Sequence, residues 1–200
     1  DRDTTRRVIC SQPGFLGLPD RAITPEGLMT LSAERMSALM NLFPRSEVEF
    51  FVGLKNPATM IPHCISRIEN RSYNDIMAGV PLERMRWSPT IRGMVSALRG
   101  RRLVIWSHED TPLIWPEVVR TIANMPDDAP LKAGLLILGE ILHPEGIKFI
   151  RDQLAAEQQV DISKRREIFT RALQSYVHHE RIETSIDLPG WTQQTINELT

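Results

Sequence analysis

Cysteine is scarce in this 200-residue chain: there are two, Cys10 and Cys64, and they form no repeated spacing. A disulfide framework or a cysteine-rich zinc site needs paired cysteines, so neither is expected. A reducing compartment follows, and the sequence predicts a cytoplasmic protein. Charge of one sign is also lacking. Lys and Arg number 24 against 25 Asp and Glu, for a formal net charge of -1. No global field gathers nucleic acid or an anionic membrane surface, and neither partner is expected. The longest apolar run, near Ala133–Leu142, is broken by Gly134, Gly139 and Glu140. It falls short of the ~20 residues a spanning helix needs. The opening Asp-Arg-Asp-Thr-Thr-Arg-Arg has no apolar stretch, and no signal peptide is expected there. Internal repeats, Gly-x-Ser-x-Gly, His-Glu-x-x-His and Gly-x-Gly-x-x-Gly are missing as well.

What is present is an ordinary globular mixture, 42% hydrophobic and 24% charged, of a length that suits one domain. Three β-branched or aromatic runs read as buried strands: Arg7–Ser11, Glu47–Leu54 and Arg102–Trp106. Helical patterns separate them. Thr24 is placed to cap a helix with Pro25 at its first position and an apolar stripe of Leu28, Leu31, Met36, Leu39 and Phe43. Asn56-Pro57 starts a second helix, and Ser88-Pro89 a third that Gly100 ends. The last hundred residues read as mainly helical: 116–124, 144–157, 161–176 and 192–199. The fold class is therefore α/β, with a central, mostly parallel sheet flanked by helices and a mainly helical C-terminal half.

The stretch richest in chemistry is Glu47–Arg67. A strand ends at Leu54, Lys55 follows, and Asn56-Pro57 launches a helix. This order sets a cation and helix N–H groups at the carboxyl edge of a sheet, where α/β proteins take anionic ligands. The plainer alternative is that Asn56 caps the helix and Lys55 points into water. Past the third strand comes Ser107-His108-Glu109-Asp110, and past the first comes Gln12-Pro13-Gly14, which also reads as a simple turn.

These elements resemble sulfotransferase-like proteins of the P-loop superfamily, bacterial in type, over roughly Val8 to Met125. That family carries a strand, then Arg-Asp-Pro or Arg-Asn-Pro, then a helix with a serine eight residues past the arginine. Lys55-Asn56-Pro57 looks like this element, with Lys55 in the arginine position and His63 in the serine position. Glu109-Asp110 looks like the family's acidic pair, with His108 replacing its tyrosine, and Gln12 stands where a carboxylate is usual. The resemblance implies sulfuryl transfer from 3′-phosphoadenosine 5′-phosphosulfate to an acceptor, with Lys55, Asn56 and His63 at the donor's 3′-phosphate. Lysine there supplies a point charge without the bidentate fork of arginine. The family's phosphate-binding loop has no counterpart here, so a single domain spanning 1–200 and lacking an N-terminal strand and loop is expected. The alternative is a relative that kept the fold and serves as a non-catalytic interaction module.

Other clusters read as ordinary surface or core. His178-His179-Glu180 suggests a metal, but adjacent histidines on a helix point apart, and no metal is expected. Cys64 beside His63 reads as a small packed residue. The basic clusters 99–102 and 164–166 are flanked by acids or turns and read as solvated faces.

Overall fold

Of the three runs that read as strands, two pair and one does not. A computed structural model describes residues 7–157, 160–182 and 189–199. In chain order its elements are β1 (Ile23–Thr24), β2 (Gly27–Leu28), α1 (Ser32–Leu42), β3 (Phe50–Leu54), α2 (Pro57–Ser66), α3 (Tyr73–Met77) and α4 (Trp87–Leu98). Then follow β4 (Leu103–Ser107), α5 (Thr111–Ala123), α6 (Leu136–Ile141), α7 (Pro144–Ala156), α8 (Ile162–Tyr176) and α9 (Gln193–Leu199). The described residues fall into two compact units. One comprises 10–108 and 189–199; the other comprises 7–9, 109–157 and 160–182.

The first unit is α/β, built on a two-stranded parallel sheet. β3 and β4 pair in parallel, Phe50 opposite Leu103 through Leu54 opposite Ser107. Parallel neighbours require a crossover, which α2, α3 and α4 supply. Alternate side chains share a face, and Phe50, Val52, Leu54 and Leu103 pack with buried Met36, Met94 and Leu98 from α1 and α4. On the other face Gly53 leaves room for an indole: a Cβ there would lie 3.1 Å from the Trp106 ring. A second core gathers Leu28, Ile61, Cys64 and Met85, with Trp87 and Trp191 packed against it. Cys10 and Cys64 are both free thiols.

Arg7–Ser11 makes no strand. Val8 and Ile9 are 75% and 57% exposed. A strand exists only through hydrogen bonds to a neighbour, and none of the described strands pairs with this run. The helix expected at Thr24-Pro25 is instead a tight hairpin of β1 and β2. Gly27, at φ 140°, takes a conformation open to glycine, and the Thr24 hydroxyl donates to the Gly27 carbonyl at 3.2 Å. Turn chemistry thus overrides the capping pattern, and the helix waits until Ser32. α3 was not legible as a helix, although Ser72 and Asp75 form a complete capping box around it.

The second unit is helical, α5 to α8. α5 starts at Thr111, not at Pro116, with Pro112 in its first turn. Pro116 sits inside the helix at the cost of one backbone bond, the one its missing N–H would make. α8 begins where Asp161 accepts from the Lys164 N–H at 2.7 Å. α7 and α8 pack through Ile150, Ile168, Phe169 and Ala172. Gly146 permits their close approach, since a Cβ there would be 2.7 Å from the Tyr176 Cβ. Arg165 of α8 reaches Glu117 of α5 at 3.2 Å, each 15% exposed.

Candidate functional site

The carboxyl edge of the parallel pair lies in the first unit. Because Leu54 is registered with Ser107, the residues that follow, Lys55 and His108, leave the sheet side by side. Lys55 is half-buried, and its carbonyl accepts from the Trp87 indole N–H at 2.7 Å. That bond pins the strand-to-helix turn from α4, which packs against β3. Nothing in the local spacing announces Trp87, 32 residues away, as the anchor of this turn.

Asn56 caps α2. Its side-chain oxygen accepts from the Ala58 N–H at 2.8 Å, while the Thr59 and Met60 N–H groups both bond the Asn56 carbonyl. Pro57 has no N–H to give. The expected open N–H groups are therefore committed within the turn, and an anion arriving here meets the helix dipole and the Lys55 charge instead. The plainer reading of Asn56 as a cap is what the geometry has.

His63 is exposed on α2, six residues past Pro57, or about 9 Å along the axis. Cys64, the next residue, is buried, and burial pushes its thiol pKa up while the Lys55 charge partly opposes the shift. Lys55 is thus felt electrostatically along α2 as far as Cys64. His108, Glu109 and Asp110 form one 3-10 turn directly after β4. Gln12 is exposed in a turn closed by the Phe15 N–H on the Gln12 carbonyl at 3.2 Å. No described strand precedes it in the chain. A shallow cleft of about 210 Å³ elsewhere in this unit is lined by Leu82, Glu83, Arg86, Thr195 and Glu198. None of the residues expected at the donor lines it.

The basic clusters are largely engaged. Arg102 pairs with Glu49 at 2.9 Å, and Lys164 with Glu167 at 3.1 Å. His178 and His179 lie beyond the end of α8, where His178 precedes a short 3-10 turn over His179–Arg181. Among the described residues, no three metal-ligating side chains gather, and no helix is long and apolar enough to cross a membrane.

No protein-family model, curated protein or solved structure matches this chain.

Proposed function

We propose that the carboxyl edge of β3 binds the 3′-phosphate end of 3′-phosphoadenosine 5′-phosphosulfate, in a sulfotransferase-like protein. Lys55 attracts the phosphate as a point charge, and exposed His63 adds a hydrogen bond from α2. In the reaction an acceptor oxygen or nitrogen bonds to sulfur as the phosphosulfate S–O bond breaks. The acceptor proton passes to a base, and 3′-phosphoadenosine 5′-phosphate leaves. Positioning and charge stabilisation dominate such a transfer. The observation that carries the reading is the parallel register of Leu54 with Ser107, which brings Lys55-Asn56-Pro57 and His108 to one edge. A second reading, a non-catalytic interaction module, is favoured by the committed N–H groups at the start of α2, which leave the anion fewer donors.

Calorimetric titration of 3′-phosphoadenosine 5′-phosphate into the full chain separates the two. Binding that weakens with salt, and by about 1–3 kcal/mol in Lys55→Ala, is expected for the donor site. Lys55→Arg strengthens binding by restoring the planar fork. No binding at millimolar nucleotide leaves the interaction module, and binding indifferent to Lys55 moves the site elsewhere.

A further inference from the structure

The histidines set aside as metal ligands acquire a different setting in the helical unit. Leu142, just before α7, forms an isolated antiparallel bridge with Val177, just after α8. The His143 N–H donates to the Tyr176 carbonyl and the His178 N–H to the Ile141 carbonyl, both at 2.9 Å. Alternation across this short bridge turns Leu142 into the core, where it is 2% exposed. It turns His143 and His178, as a diagonal pair, to the opposite face. Their rings lie in contact, centroids 3.4 Å apart and planes tilted by 40°. The bridge closes the end of the α7–α8 hairpin away from the 157–161 connection. At that end Leu142 and Val177 pack with the core around Phe169, Gly146 lies against Tyr176, and Arg181 donates to the Glu140 carbonyl at 2.7 Å.

We propose that the His143–His178 pair is a pH-sensitive clasp, closed while the rings are neutral and opened when both are protonated. Neutral imidazoles carry no charge against each other at this spacing, whereas two imidazolium rings repel. The charges around the pair sharpen the effect. Arg181 is fixed beside it, and His179 follows His178 in the same segment. Glu180 from that segment and Glu145 from the first turn of α7 act in the opposite sense. α6 contributes the Glu140 carbonyl, and Arg171 of α8 lies over the Phe149 ring at 5.3 Å. Partial loss of water, then His143, then Arg181, hold the His178 pKa below its ordinary value of 6.5, with Glu180 and Glu145 opposing. The closed form therefore binds fewer protons than the opened form. The stability of the clasp is complete above the ordinary histidine range and is lost as pH falls through the depressed value. Opening frees the segment after Tyr176 and frays the first turn of α7, while the core around Ile150 and Phe169 stays packed.

Amide hydrogen exchange on the full chain, at pH 7.5 and pH 5 and corrected for intrinsic rates, reads the clasp directly. The protection factors of the His143 and His178 amides fall severalfold at the lower pH, while those of Ile150 and Phe169 hold. In His178→Phe, which keeps a ring but cannot titrate, the difference between the two pH values disappears. Imidazole NMR titration of the parent needs no variant and gives a lowered midpoint for His178. Protection that does not change with pH, a His178→Phe variant that keeps the parent response, or a His178 midpoint that is not lowered would each overturn the proposal.

Discussion

The two units bury apolar surface and satisfy their backbones by different means. In the unit of 10–108 the backbone bonds of β3 and β4 are shared between segments about fifty residues apart, Phe50 answering Leu103. Its buried side chains divide between two cores, and in the pair of Arg102 with Glu49 the Arg102 side chain is 50% exposed and that of Glu49 15%. In the helical unit each helix satisfies its own backbone, and one core runs from Leu138 to Ala172. Arg120 is 7% exposed and donates from Nε to the Ala129 carbonyl at 3.0 Å. Among the described residues, its Nη1 and the Glu117 Oε2 have no hydrogen-bond partner. Burial, and then Arg165, lower the Arg120 pKa, while Glu117, Asp127 and Asp128 oppose them. The sheet unit leaves the Arg102 end of its pair half open to water, whereas the helical unit buries both ends of the Arg165–Glu117 pair.

The largest expected effects test where each unit concentrates its packing. Phe169→Ala, in the single core of the helical unit, lowers stability by about 3–5 kcal/mol. Met94→Ala, in one of the two cores of the sheet unit, costs about 2–5 kcal/mol, toward the lower end because the burden is divided. Urea unfolding of both variants ranks them. A Met94 cost above that of Phe169 would reverse the comparison.

Ion pairs give the next effect. Glu117→Gln leaves Arg165 and Arg120 facing a neutral group inside the helical unit and costs about 1.5–3 kcal/mol, in the range for hydrogen bonds to charged groups. Glu49→Gln, at a pair half open to solvent, costs less than about 1 kcal/mol, and that small cost shrinks further in salt. Equal costs for the two substitutions would remove the distinction between buried and surface charge.

The smallest effect is local to α3, in the sheet unit. Hydrogen bonds from the Ser72 hydroxyl and backbone N–H hold the Asp75 carboxyl below its ordinary pKa, with Arg71 adding to the shift. Its contribution is therefore present above the ordinary aspartate range and lost as pH falls through the lower folded value. Protection of the Asp75 and Ile76 amides follows that acid limb in the parent and not in Asp75→Asn. Protection that is flat with pH would show the capping box to be incidental.

The sequence by itself determined the elements whose stability is local. Asn56 before Pro57, Asp161 before α8 and Pro144 at the head of α7 each mark a helix start with groups a few residues apart, and each helix begins there. The two runs that became β3 and β4, and their parallel sense, were legible too, because the helical patterns between them rule out a tight turn. Tertiary structure alone decided the rest. Val8 and Ile9 have strand propensity but pair with none of the described strands, and propensity without a partner leaves them exposed. Leu28 has the spacing of a helix stripe, yet the turn at Gly27 takes it into a hairpin. At the candidate site, Lys55, Asn56 and His63 could be picked out by order along the chain. That Trp87 holds the Lys55 carbonyl could not, since their contact spans 32 residues. His143 and His178, 35 positions apart in the sequence, met only when the α7–α8 hairpin closed. Short-range hydrogen bonds are written in neighbouring residues; long-range contacts exist only once loop closure has been offset by packing.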